Sequence, residues 1–479
     1  MSGPAVESYI RRLVERLRVR GIATPQLFMM QSNGGLVRMQ AGARFASQLL
    51  LSGPAAGLIA AAELGNVTGY PNVVAFDMGG TSTDIGVVTD GYAGEASGGV
   101  LAGQDIGVPM LKIRTLGAGG GTIAWLDRDG LLKVGPHSAG AAPGPAAYGR
   151  GGNRPTVTDA NVVLGALGGA SLAGGLLLDR AAAERAMLSI AEPLGLDLVT
   201  TAEGIIRIIN NKMAVDLRLG LQERGQDPRR FALIAFGGAG GLHACDVARM
   251  VGLPRVLVPM RPGLACATGL LQTAVRHQYL RSCLRRLGTV SVDEVNALLA
   301  GLYTHAAFDA EAEGFAATAL RLVPKAEMRY LHQGYQLAVP CPYPLEDGQR
   351  ATLKHAFDEI HRRTYGNAAE TEDAEIVTLR LDAEIEVPRL RLAPLGVTPP
   401  SPRGLGTGDD DRTRHLWNLA THRFEPARVI DRGALAPTDH LDGPAIITQY
   451  DATTVLPAGQ HLTVDRYGTL IIETGAPGA

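Results

Sequence analysis

An α/β fold followed by an α+β region is predicted by three observations. Strand-like and helix-like runs alternate through the first 276 residues, glycine clusters punctuate the strand ends there, and both features stop beyond that point. The sequence divides accordingly into an α/β domain over residues 1–276 and a second domain over 277–479, with a linker near 394–412. That linker is rich in proline and ends in Asp409-Asp410-Asp411.

The first element is an amphipathic helix. Val6, Ile10, Leu13, Val14 and Leu17 fall on one stripe, arginines occupy the rest of the barrel, and Gly21 ends it. An apolar strand, Leu27 to Met30, runs into the polar turn Gln31-Ser32-Asn33-Gly34-Gly35. Leu50 to Pro54 leads into a small-residue helix, Ala55 to Leu64, and Val73 to Phe76 is β-rich. A long helix follows from about Glu203 to Arg224, carrying Ile205, Ile209, Met213, Leu217 and Leu221, and then a buried strand from Phe231 to Phe236. In the second domain the pattern gives a helix near Asp293 to Leu302 and strands at Glu327 to Tyr330 and Tyr335 to Val339. Short β follows around Ala445-Ile446-Ile447 and Leu470-Ile471-Ile472. No internal repeat is found.

Composition excludes several classes of function. Forty-five basic and 47 acidic side chains nearly cancel, and the basic cluster Arg281, Arg285 and Arg286 is too short for a nucleic-acid stripe. Cys245, Cys266, Cys283 and Cys341 form no C-x-x-C pair, so neither a zinc finger nor a disulfide framework is expected. No apolar run is long enough for a membrane helix and the N-terminus lacks signal-peptide character, which makes the cytoplasm the expected location.

The sharpest local signal is Phe76-Asp77-Met78-Gly79-Gly80-Thr81-Ser82-Thr83-Asp84-Ile85-Gly86, two apolar strands joined by a Gly-Gly-Thr turn. Bare glycines let backbone N–H groups approach phosphate oxygens, the hydroxyls of Thr81, Ser82 and Thr83 add donors, and Asp77 and Asp84 are placed to hold Mg²⁺. The same turn also serves simple hairpins. A second glycine run, Gly237-Gly238-Ala239-Gly240-Gly241, stands between a strand and a helix and leads into His243; it offers bare backbone to an adenine or ribose. A third, Gly117-Ala118-Gly119-Gly120-Gly121, forms another polar loop. His243 is also the kind of residue that simply bonds backbone at a helix start.

In order along the chain, this hairpin, the triple-glycine loop, Gly135 to Pro145, Pro155 to Asn161 and the Phe236-Gly-Gly-Ala-Gly element resemble the hydantoinase A/oxoprolinase family. So do Gln31 to Gly35, Leu51 to Gly57, Arg329-Tyr330 with Gln333-Gly334-Tyr335, His361 with Tyr365-Gly366, and Gly443 to Thr454. The likeness covers nearly the whole chain. It implies an actin-like ATPase (ribonuclease H-like) lobe and an enzyme that spends ATP on opening cyclic amides such as hydantoin or 5-oxoproline, working with a hydantoinase B-like subunit. Phosphorylation would convert the ring oxygen of a poor electrophile into a leaving group. The resemblance extends to carboxylases of acetone or acetophenone, so a ketone carboxylase subunit is the alternative, beside a truncated, non-catalytic nucleotide-binding protein.

Two departures qualify the resemblance. Family members carry an earlier domain with a first Asp-x-Gly-Gly-Thr hairpin, and the hairpin at Asp77 corresponds to their second; the missing lobe is expected on another chain or lost. Lys112-Ile113-Arg114 replaces an acidic residue and a histidine common before the triple-glycine loop, so no metal is assigned there. The apolar stripe of the first helix, if left uncovered, favours a homodimer.

Overall fold

The computed structural model describes all residues except 1–2, 23, 25, 45, 97, 102, 169–175, 396–412 and 476–479, which removes most of the linker near 394–412 from description. The chain forms two compact units that interleave in sequence. One comprises residues 1–31, 35–50 and 273–389, the other residues 32–34, 51–272 and 390–479.

The larger unit is built on a nine-stranded sheet, eight strands on one path and Tyr92–Ala93 paired off it with Thr83–Thr89. From one edge, the strands Ile113–Leu116, Thr83–Thr89, Val73–Met78, Ala232–Phe236, Arg255–Val258, Leu470–Glu473, His461–Val464 and His440–Asp442 follow in that order. Val73–Met78, Ala232–Phe236 and Arg255–Val258 run parallel to one another, while the flanking strands are antiparallel. The central strands read as continuous apolar runs because both faces are covered. Val74, Phe76 and Met78 join the core of the helix Leu198–Gln222 through Ile205, Ile209, Met213 and Leu217. Val73, pointing the other way, meets Gly65 of the helix Ser52–Thr68. That helix buries Ala55, Ala56, Gly57, Ala60 and Ala61, small residues that allow it to lie close to the sheet. A separate four-stranded sheet, Thr413–Asn418, Arg423–Asp431, Ala445–Thr448 and Thr453–Leu456, belongs to the same unit.

The smaller unit is a six-stranded sheet in the order Phe28–Met30, Leu36–Arg38, Val275–Arg286, Ala374–Ile385, Leu320–Tyr330 and Leu337–Pro340. The helices Val292–Ala312 and Arg350–Tyr365 supply Val295, Leu299, Leu302, Leu353 and Phe357 to its core, against Met328, Tyr330, Leu379 and Leu381. The first helix, Gly3–Val19, buries only Ile10 of its apolar stripe.

Compactness thus divides the chain differently from the division at residue 276. The strand Leu470–Glu473 pairs with Arg255–Val258 more than 200 residues away, which puts the C-terminal β segments in the larger unit. No helix among the described residues is long and apolar enough to cross a membrane.

Candidate functional site

The hairpin between Val73–Met78 and Thr83–Thr89 sits near one edge of the large sheet, with Asp77 directly opposite Asp84 in the antiparallel register. Its tip is open: Gly80 and Thr81 are exposed, and a Cβ at Gly80 would meet nothing within 4 Å. The loop beneath the tip is packed tightly against it. The N–H of Gly120 donates to the carbonyl of Gly79 at 3.0 Å and that of Gly121 to Gly80 at 2.6 Å. A Cβ at Gly119 would come within 2.7 Å of the Gly80 and Thr81 backbone.

The expected division of labour among the glycines therefore changes. The N–H groups of Gly79, Gly119, Gly120, Gly121, Gly237 and Ala239 are spent inside the protein, on Ser82, Thr122, Gly79, Gly80, Pro262 and Met78 respectively. Those of Gly80, Thr81 and Gly238 find no acceptor among the described residues. The triple-glycine loop is a brace for the hairpin, and the groups left to face a ligand are at its tip and at Gly238. Gly237 holds φ +75°, and a Cβ there would lie 2.4 Å from Asp77 Oδ1, so the second glycine run presses directly on the hairpin carboxylate.

Thr83 and His243 are corrections to the sequence-derived ligand set. Thr83 is fully buried and its hydroxyl donates to the carbonyl of Ala118 at 2.6 Å, because the alternation of the strand turns it inward. Of the three hydroxyls expected to add donors, only those of Thr81 and Ser82 retain solvent exposure. His243 is 1% exposed. Its Nδ1 donates to Asn210 Oδ1 at 2.7 Å, which leaves Nε2 to accept from Asn161 Nδ2 at 3.3 Å. Burial pushes its pKa down to about 4, so the ring is neutral, and it stands behind Asn161 as part of the wall.

A cleft of about 330 Å³ opens over these loops, within the size range of small-molecule sites. Gly79, Gly80, Gly120, Gly238 and Ala239 line it, together with Tyr148, Thr158, Asn161, Tyr450 and Asp451. Gly240 and Gly241 begin the helix Gly240–Val251, which has no side-chain cap. Its uncapped N-terminus at Ala239 gives the cleft floor a positive dipole end. Three residues of one motif brace the wall. Thr158 donates from N–H and hydroxyl to the Gly120 carbonyl at 2.7 and 2.9 Å. Asp159, buried, accepts from the N–H groups of Ala146, Ala147 and Thr156 and from the Thr156 hydroxyl. Asn161 is the partner of His243.

Asp77 and Asp84 are both raised above the usual carboxylate range, chiefly by burial; Asp84 is raised further by the charge of Asp77. A thiol and a hydroxyl partly compensate: Cys266 Sγ donates to Asp77 Oδ2 at 3.2 Å and Thr115 Oγ1 to Asp84 Oδ1 at 2.5 Å. Two partly desolvated carboxylates opposite one another suit a divalent cation. Among the described residues no group of three or more His, Cys, Asp or Glu could cage a metal alone, so the donor set fits an ion that takes its remaining ligands from phosphate and water. Arg114, in the segment where no metal was assigned, pairs with Asp216 and Glu223, each at 3.0 Å.

Several cleft residues escaped the sequence reading as functional positions. Thr158, Asn161, Tyr450 and Asp451 lie in stretches that carried the family likeness without any chemistry attached to them, and Tyr148 lies between two such stretches. Cys266, read from the sequence only as a cysteine outside any C-x-x-C pair, proves to be the partner of Asp77.

The Hydantoinase/oxoprolinase model matches residues 3–279, and the model of the Hydantoinase/oxoprolinase C-terminal domain matches residues 289–473. The chain is 34% identical to caprolactamase subunit alpha of Pseudomonas jessenii, over 98% of this chain and 68% of that one. It is 31% identical to the acetophenone carboxylase gamma subunit of Aromatoleum aromaticum, over 97% and 64%. The crystal structure of ATP-dependent caprolactamase from Pseudomonas jessenii aligns with a TM-score of 0.82 at 32% identity, covering 99% of this chain and 69% of that one. Nucleotide-free acetone carboxylase aligns with a TM-score of 0.81 at 24% identity, a likeness of fold, over 97% and 66%. The fold is thus of the actin-like ATPase type. The chain spans about two thirds of the length of these relatives.

Proposed function

The chain belongs to the hydantoinase/oxoprolinase family, and from that membership we propose that it is the nucleotide-binding subunit of an ATP-dependent cyclic-amide hydrolase. The observation that carries this reading is the open hairpin tip at Gly80 and Thr81. The N–H groups of this tip find no acceptor among the described residues, and Gly80 lines a cleft together with Ala239 at the uncapped helix start.

In this reading the N–H groups of Gly80, Thr81 and Gly238 and the hydroxyls of Thr81 and Ser82 orient the phosphates of ATP. Asp77 and Asp84 hold Mg²⁺, directly or through its waters, and Mg²⁺ when bound neutralises charge on the phosphates. Gly119, Gly120 and Gly121 stiffen the hairpin from below. Gly237, Gly238, Ala239 and Gly240 lie beside the nucleoside, with His243 holding Asn161 in the wall. Transfer of the terminal phosphoryl group to the ring amide oxygen makes the ring carbon electrophilic; one water adds there, the C–N bond breaks with the nitrogen taking a proton, and an acyl phosphate is left. A second water releases phosphate from it, so the sum is one ATP, two waters and the cyclic amide giving an open-chain amino acid, ADP and phosphate.

The relatives' names, which include a caprolactamase subunit alpha and carboxylase gamma and beta subunits, support a multi-subunit enzyme. The partner in this reading is a hydantoinase B-like chain. The test is ATP hydrolysis by the chain with that partner, with and without a lactam, hydantoin or 5-oxoproline. Cyclic-amide-dependent release of ADP together with the ring-opened amino acid is expected, and Asp77→Asn or Asp84→Asn abolishes it. ATP turnover that responds to a ketone and bicarbonate, and to no cyclic amide, overturns the substrate class in favour of the carboxylase reading.

A further inference from the structure

One side chain of the cleft has a chemistry that the hairpin alone does not supply. Arg150 is the single cationic residue among the described residues lining it; it is exposed and makes no hydrogen bond or ion pair among them. Asp451, the one acidic residue among the described residues lining the cleft, is committed elsewhere: its carboxylate accepts from the Gly263 N–H at 2.9 Å and from Gln449 Nε2 at 2.6 Å.

The position of Arg150 is fixed by the same hydrogen-bonded framework that fixes the hairpin. The turn Ala146–Tyr148, just before it, hangs on the Asp159 carboxylate through the N–H groups of Ala146 and Ala147, at 3.3 and 2.7 Å. Asp159 belongs to the helix Val157–Val163, whose Thr158 bonds the carbonyl of Gly120, and Gly120 in turn bonds Gly79. Arg150 and the hairpin tip are therefore two points on one braced wall. A guanidinium presents planar paired donors that match phosphate oxygens, and it keeps its charge at any working pH.

We propose that Arg150 is a phosphate-binding residue of the nucleotide cleft, its guanidinium taking oxygens of the polyphosphate alongside the bare hairpin amides. The inference rests on the nucleotide reading above. It assigns to a side chain part of the charge compensation that backbone dipoles and Mg²⁺ otherwise bear alone.

The test is calorimetric titration of the whole chain with Mg-ATP, Mg-tripolyphosphate and adenosine, for the wild type, Arg150→Gln and Arg150→Lys. Arg150→Gln is expected to weaken ATP and tripolyphosphate by roughly ten- to a hundred-fold, to leave adenosine unchanged and to leave the urea midpoint unchanged. Arg150→Lys is expected to recover part of the loss, since it restores charge without the fork. ATP affinity equal to wild type in Arg150→Gln would overturn the proposal, as would equal weakening of ATP and adenosine, which would place the guanidinium against the base. A wild-type chain that binds tripolyphosphate and ignores the adenine refutes the ATP reading while Arg150 is still judged on tripolyphosphate. One that binds neither refutes both.

Discussion

Acid should loosen the larger unit through His243, and the size of the effect follows from the structure. The neutral imidazole is sandwiched between Asn210 and Asn161, and burial lowers its pKa to about 4 from an ordinary 6.5. A depressed histidine means that between these values the unfolded chain binds a proton that the folded chain refuses. Stability from this group is complete above the unfolded value and is lost as pH falls from about 6.5 toward 4. At pH 5 the loss is about 2 kcal/mol, and at pH 7.5 it is close to zero. Asp77, Asp84 and Asp159 are raised and act with the opposite sign, so the measurement must be a difference. His243→Gln keeps a donor and an acceptor and does not titrate. Both tryptophans of the chain, Trp125 and Trp417, lie in the larger unit, so urea unfolding followed by tryptophan fluorescence reads that unit alone. The wild type should lose about 2 kcal/mol more than His243→Gln between pH 7.5 and pH 5. Parallel pH curves for the two proteins would refute a buried neutral histidine.

Two further substitutions separate bracing from ligand contact. Asp159→Ala strands the N–H groups of Ala146, Ala147 and Thr156, and should lower the stability of the larger unit by at least about 2 kcal/mol by the same fluorescence assay. Thr83→Val removes the bond to Ala118 while keeping the shape. It should cost about 1 kcal/mol in urea unfolding and leave nucleotide affinity, read by calorimetry, unchanged.

Much of this architecture was legible because its signals are local. The hairpin at Asp77 to Asp84 announces itself by two apolar runs around Gly79-Gly80, and the helices Leu198–Gln222 and Val292–Ala312 by their periodicity, although both run beyond the apolar residues that betrayed them. Non-local pairing was not legible. Nothing near Leu470 says that it completes a sheet begun at Val73, and nothing near Gly35 says that residues 35–50 join a unit built mainly from 273–389. At the candidate site the glycines were visible, but their separate tasks were not. Whether an N–H faces a ligand or bonds Gly79 depends on a loop 40 residues away, and the inward turn of Thr83 depends on the register of its strand. Cys266 carries no sequence signal at all; only the packing of its short helix brings the thiol to Asp77.

The most direct test of the account is calorimetric titration of Mg-ATP into Gly80→Ala beside the wild type. Because a Cβ at Gly80 meets nothing in the protein, the variant should fold with an unchanged urea midpoint, yet the methyl group stands where a phosphate must approach the bare tip, so affinity should fall at least tenfold. Equal ATP affinity in the two folded proteins would contradict the claim that this hairpin tip receives the nucleotide phosphates.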